Sequence, residues 1–186
     1  VKFDTAIIFA GGKSSRMGRD KALLPFGGYD TLTEYQYRRL SKIFNRVYIS
    51  TKNDKFNFNA NLIIDDSNIF SPLIGIISIF RSLDVDEVFI LSVDIPFITK
   101  EIIEKLYRKS SPEFDIVVAK SKNGIEPLCG IYRRGVLRVA ERNLKSNTHR
   151  VKSLIEETNS RVVEFDLEDE FLNLNTPEIY SYSLLI

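Results

Sequence analysis

The chain has 186 residues, 44% apolar and 27% charged, ordinary proportions for a globular protein large enough to bury a core without disulfide or metal staples. A formal net charge of +1 provides no bulk field that would favour nucleic acid or a membrane surface, so any basic site must be local. The lone cysteine, Cys129, cannot form an internal disulfide and fits a reducing compartment.

Asp4 to Phe9 reads as a buried strand, followed by a Gly-rich, basic loop from Ala10. Thr31 caps a helix, with Glu34 completing a capping box and Leu32, Tyr35, Leu40, Ile43 and Phe44 forming its apolar face. Arg46 to Ser50 and Asn61 to Ile64 are the next strands. Pro72 opens a helix with a buried stripe of Leu73, Ile76, Ile77, Phe80 and Leu83. Val88 to Val93, apolar except at Ser92, reads as a central strand buried on both faces, with Asp94 at its carboxyl end. Thr99 caps a helix carrying Ile102, Ile103, Leu106 and Tyr107. Strands at Ile116 to Ala119 and Leu128 to Tyr132 flank an Asn123-Gly124 turn. Helices over Gly135 to Leu144 and Val151 to Glu157, a strand over Arg161 to Phe165 and a helix opened by Thr176-Pro177 complete the chain.

Strands alternating with helices predict an α/β fold, a Rossmann-like three-layer sandwich around a mostly parallel sheet, forming one domain over 1–186. In such sheets ligands bind beyond the carboxyl ends of the strands, which brings the Ala10 to Lys21 loop, Asp65-Asp66 and Asp94 to one edge. No apolar run approaches bilayer length, and Phe3 to Ala10 leads into glycine and basic residues rather than a cleavage site; the expected location is the cytoplasm.

The loop Ala10-Gly11-Gly12-Lys13-Ser14-Ser15-Arg16-Met17-Gly18-Arg19-Asp20-Lys21 holds three glycines and four cations. Glycines let backbone N–H groups approach anionic oxygens and the cations supply charge, a combination that suits a triphosphate. The spacing matches neither a Walker A loop nor the dinucleotide fingerprint. Asp94, a carboxylate after an apolar strand, must be capped, paired or metal-bound. It suits Mg²⁺, which takes one or two carboxylates plus phosphate oxygens and waters; a turn aspartate before Pro96 is the alternative. Asp65-Asp66 are either solvated turn residues or contacts to a base or ribose. Asn173 and Asn175 either reach the same site or, for Asn175, start the turn into the last helix. His149, the sole histidine, reads as a surface residue at a helix start. Cys129 reads as a small buried residue, and no Cys/His spacing suits a zinc site.

The run Phe9-Ala10-Gly11-Gly12, then Arg16-Met17-Gly18, Asp20-Lys21 and Leu23-Leu24-Pro25 resembles the signature of the MobA-type nucleotidyltransferases. The resemblance continues through Ile64-Asp65-Asp66-Ser67, Ser71-Pro72-Leu73-Ile74-Gly75, Asp94-Ile95-Pro96-Phe97 and Asn173-Leu174-Asn175-Thr176-Pro177, nearly the whole chain in order. The closing Asn-x-Asn-Thr-Pro points more narrowly to molybdenum cofactor guanylyltransferases. Phe9 departs from the usual Leu, and Asn68 to Pro72 replaces a more Gly-Pro-rich loop.

The resemblance implies a Mg²⁺-dependent enzyme moving GMP from GTP to the terminal phosphate of molybdopterin or Mo-molybdopterin. Phe9, Ala10 and Gly11 would meet guanine and ribose. Gly12 and Arg16 would border the triphosphate, which Lys21 would bind. Asp66 would contact the nucleotide, Asp94 would hold Mg²⁺, and Asn173 and Asn175 would lie on the acceptor (pterin) side or near the metal. The N-terminal part would bind nucleotide and the C-terminal part the acceptor. Cofactor-biosynthesis and carrier proteins are the expected partners of a monomer that touches neither nucleic acid nor membrane. CTP-dependent transfer, a sugar-phosphate acceptor, or a non-catalytic GTP-binding protein are the competing readings.

Overall fold

A computed structural model describes residues 2–11, 18, 20–65 and 67–185. Among the described residues seven strands form one sheet: β1 (Phe3–Phe9), β2 (Phe44–Thr51), β3 (Asn61–Ile64), β4 (Glu87–Ser92), β5 (Ile116–Ser121), β6 (Gly124–Arg133) and β7 (Ser160–Glu164), in the order β3-β2-β1-β4-β6-β5-β7. β6 pairs antiparallel with both β4 and β5, and every other pairing is parallel, so β6 alone runs against the other six. The carboxyl ends of β1, β2, β3 and β4 therefore share one edge of the sheet.

Six α-helices among the described residues cover the two faces: α1 (Leu32–Leu40), α2 (Pro72–Ser82), α3 (Lys100–Arg108), α4 (Leu137–Lys145), α5 (Val151–Glu157) and α6 (Pro177–Ser183). Alternating strand side chains divide the core in two. Ala6 and Ile8 of β1 and Phe89 and Leu91 of β4 pack with α1 and α3. Ile7 and Phe9, with Val88 and Ile90, pack with α2, α4 and α5. The expected three layers are present. Thr31 caps α1 by accepting from Glu34 N at 3.0 Å, and Pro72 occupies the first turn of α2.

Several boundaries differ from the sequence reading. α1 stops at Leu40, because Phe44 already pairs with Phe3 in the sheet. A 3-10 turn, Lys21–Leu23, capped by Asp20 accepting from Ala22 N at 3.0 Å, interrupts what reads as loop. β6 begins at Gly124, four residues before the apolar run, because its first half pairs with β5 around a turn through Lys122 and Asn123. The β5–β6 register jumps between Val118 and Ala119, whose partners are Gly130 and Glu126, so Pro127, Leu128 and Cys129 bulge from that ladder. Gly130 is needed beside this bulge: a Cβ there would lie 2.4 Å from Val117 O.

Candidate active site

β1 and β4 are neighbours, and their register puts Phe9 beside Ser92. Val93 N donates to Phe9 O at 3.0 Å, so the chain leaves both strands at the same level and Asp94 projects past the sheet edge. Lys21 arrives on the 3-10 turn. Its Nζ donates to Asp94 Oδ2 at 2.7 Å and to Asn175 Oδ1 at 2.8 Å. Ser92 Oγ donates to the other Asp94 oxygen at 2.6 Å. Leu174 N bonds Asp94 O at 2.8 Å, holding the Asn173 to Asn175 segment against the end of β4. Residues 73 and 154 positions apart thus meet at one ammonium group. Lys21 and Asp94 are only 16% and 17% exposed, so the pair feels less solvent screening than a surface bridge.

A cavity of about 270 Å³ lies over this pair, lined by Phe9, Ala10, Gly11, Asp20, Lys21 and Asp94 among others. Beyond Asp94 a second, wider cavity of about 410 Å³ is walled by Glu126, Leu128, His149, Arg150, Lys152 and Asn173. Both cavities touch Pro72, Ser92, Asp94 and Leu128, so Asp94 stands where they adjoin. In the second, the buried Asn173 Oδ1 and His149 Nδ1 have no hydrogen-bond partner among the described residues. Buried polar atoms without a partner are uncommon in folded interiors.

The structure brings Lys21, Asp94 and Asn175 into direct contact, with Phe9, Ala10 and Gly11 at the rim and Asn173 on the far side. Much of the Phe9 and Ala10 backbone already serves the fold: Ala10 N bonds Ser50 O and Ala10 O accepts from Lys55 at 3.2 Å. Gly11 is the first residue past those bonds; it borders the 270 Å³ cavity and, toward β2, a smaller hollow lined by Ser50, Lys52 and Asp65. Gly12, Arg16 and Asp66 lie outside the described residues. Asp65 is not a solvated turn residue: it is buried, accepts from Lys52 Nζ at 2.6 Å and from Ser67 N at 2.9 Å, and holds its own loop. His149 is half-buried against the second cavity rather than on open surface, with Nε2 2.9 Å from Asn147 Oδ1. Cys129 is buried, and burial pushes its thiol well above the ordinary range, which suits a packing residue and not a nucleophile.

Two lysines escaped the sequence reading. Lys55 bonds Ala10 O and pairs with Asp20, joining the two ends of the basic loop. Lys52 bonds Asp65, Ser67 O and Ile69 O, pinning the segment between β3 and α2. The signal for Lys52 lies in strand register: Thr51 is opposite Ile64, which sets residue 52 beside residue 65.

Among the described residues no group of three or more His, Cys, Asp or Glu could hold a metal alone. Asp94 is a single carboxylate, flanked by the Ser92 hydroxyl and the Asn175 amide. Such a donor set would need a ligand's own oxygens to complete a cation's shell, as Mg²⁺ shells do.

The family model described as MobA-like NTP transferase domain matches residues 6–162. The chain belongs to the MobA-like NTP transferase family. The matched span takes in the last four residues of β1, all of β2 to β6, and both Lys21 and Asp94. A relative, the molybdenum cofactor guanylyltransferase of Campylobacter jejuni subsp. doylei, is 38% identical over 94% of this chain and 92% of its own. The Helicobacter pylori protein of the same name is 37% identical over 97% of this chain and 91% of its own. The crystal structure of molybdopterin-guanine dinucleotide biosynthesis protein A from Archaeoglobus fulgidus has a TM-score of 0.83 at 20% identity, covering 97% of each chain, a likeness of fold. No helix among the described residues is long and apolar enough to cross a membrane.

Proposed function

We propose that this nucleotidyltransferase moves GMP from GTP to the terminal phosphate of molybdopterin, free or molybdenum-loaded, releasing pyrophosphate and giving the guanine dinucleotide form of the cofactor. The observation that carries the reading is the meeting of Lys21, Asp94 and Asn175 where the two cavities adjoin. The names of the two bacterial relatives support the choice of nucleotide and acceptor.

In this reading the triphosphate lies over Lys21 and Gly11 in the smaller cavity, with Phe9, Ala10 and Gly11 toward the guanine and ribose. Gly12 and Arg16 border the phosphates and Asp66 contacts the nucleotide. The acceptor occupies the wider cavity, where Arg150 and Lys152 offer positive charge and Asn173 a buried acceptor atom with no partner among the described residues. An oxygen of the acceptor's terminal phosphate forms a bond to the α-phosphorus while the bond from that phosphorus to the bridging oxygen breaks, and the electron pair leaves with pyrophosphate. Lys21, drawn from Asp94 to the phosphates, takes up the charge on the leaving group, a role shared with Arg16. The nucleophile is already an anion, so no strong general base is needed, and positioning and electrostatics carry the rate. Asp94 would hold Mg²⁺, which when bound supplies neutralisation of phosphate oxygens.

We further infer a cytoplasmic monomer of one domain (1–186), its N-terminal part binding nucleotide and its C-terminal part the acceptor, supplied by cofactor-biosynthesis or carrier proteins. The test is to incubate the protein with Mg²⁺, molybdopterin and either GTP or CTP, following pyrophosphate and the dinucleotide. Product with GTP alone is expected. Product with CTP alone would overturn the base assignment, and no product with either would overturn the acceptor assignment.

A further inference from the structure

Helix α1 carries two polar residues in its buried face. Thr33 and Gln36 are fully buried beside Leu32 and Leu40. A buried hydroxyl or amide is unfavourable unless it finds partners, and residues three apart share a face of a helix. Each reaches one side of the catalytic pair. Thr33 Oγ1 donates to Ala22 O at 2.8 Å, one residue after Lys21. Gln36 Nε2 donates to Ile95 O at 3.2 Å, one residue after Asp94. The amide is itself held: Arg39 donates to Gln36 Oε1 through Nε at 3.2 Å and Nη2 at 2.6 Å, and through Nη1 to Ile98 O. Leu32 N adds a bond to Leu24 O at 2.6 Å, just past the 3-10 turn.

In the nucleotidyl-transfer reading Lys21 is drawn from the Asp94 carboxylate to the phosphate oxygens, so the Lys21–Asp94 bridge does not itself keep these residues in register during turnover. The reference must lie outside the pair. We propose that Thr33 and Gln36 are positioning residues, and that α1 acts as a rigid spacer fixing Lys21 relative to Asp94 whether or not the two are bonded. The proposal rests on the nucleotidyl-transfer reading for its kinetic readout, but not for its structural one.

The test uses Thr33→Val and Gln36→Leu, each nearly isosteric and lacking the bond, with Thr33→Ser as the variant that restores it. Ile155→Ala, in the opposite layer, controls for general loss of stability. Misplacing a catalytic group by about 1 Å can lower a rate about 100-fold, so kcat should fall about 10- to 100-fold while KM for GTP changes less than about 3-fold. Thr33→Ser and Ile155→Ala should keep kcat near the wild-type value. A kcat within about 2-fold of wild type in the Thr33→Val/Gln36→Leu double variant, or an equal loss in Ile155→Ala, would overturn the proposal. Should the double variant not fold, the two single variants decide by the same criterion. If the wild type itself releases no pyrophosphate, the functional reading fails, and crystal structures of the two single variants decide the positioning claim. A shift of the Lys21 turn relative to Asp94 by about 1 Å supports it, and an unchanged arrangement contradicts it.

Discussion

Two lysine–aspartate pairs sit at the same edge of the sheet, and they differ in what surrounds them. Lys52–Asp65 and Lys21–Asp94 are nearly equal in length, 2.6 and 2.7 Å, and both are largely buried. Lys52 directs its three donors to Asp65 and to two backbone carbonyls of one loop, Ser67 O and Ile69 O, so its charge is spent on local structure. Lys21 donates to two side chains from distant parts of the chain, at the rim where two cavities adjoin. Ion-pair distance therefore says little about role. A lysine held by backbone carbonyls is a brace, whereas one held by exchangeable side chains can hand its charge to a ligand.

The largest expected effect comes from breaking the second pair. Lys21→Ala and Asp94→Asn should each lower pyrophosphate release by at least about 10²–10³-fold, the usual cost of losing one preorganised charge-stabilising group, with an unchanged circular dichroism spectrum. Wild-type-like rates in both would remove the pair from the mechanism. Breaking the first pair should act in the opposite sense. Lys52→Met should cost about 2 kcal/mol of stability in urea titration, the typical value for a hydrogen bond to a charged group, and leave kcat within about 3-fold of wild type once the protein is folded. A kcat loss as large as that of Lys21→Ala would erase the distinction.

Gly75 sharpens the comparison from the packing side. It lets α2 approach the end of β1, and a Cβ there would lie 2.6 Å from Phe9 Cε1. Gly75→Ala should cost about 1–3 kcal/mol through overpacking, read as a lowered denaturation midpoint. The smallest effect is with pH. Burial pushes the phenols of Tyr107 and Tyr132 above the ordinary tyrosine range. Their unfolded forms ionise near pH ~10, so the fold keeps its full stability below that pH and loses it as the pH rises further. The urea midpoint should fall above about pH 10. In the same titrations Cys129 should resist thiol reagents until the chain unfolds.

The strands carrying the site were legible because their burial is continuous. Val88 to Leu91 is apolar without interruption, which marks a central strand and makes the carboxylate after it conspicuous. β6 was half legible, since Gly124 to Pro127 lacks an apolar run and owes its pairing to a hairpin and a bulge. The Lys21 turn read as loop because its shape depends on the Asp20 cap and on Thr33, contacts that no local pattern reveals. Asp65 could not be told from a solvated turn residue, because its partner becomes visible only once β2 and β3 are set in register. Lys55, Gln36 and Arg39 were silent for the same reason: each also bonds a backbone carbonyl far away in the chain, at Ala10, Ile95 and Ile98.

The most direct test of the central claim, that Lys21 and Asp94 act as one catalytic unit, is a double-mutant cycle on pyrophosphate release. Lys21→Ala, Asp94→Asn and the combined variant are compared under saturating GTP and molybdopterin. Groups that act as a unit give non-additive losses, so the combined variant should be little slower than the worse single one. Losses that multiply would mean that the two residues act independently, and would contradict the account.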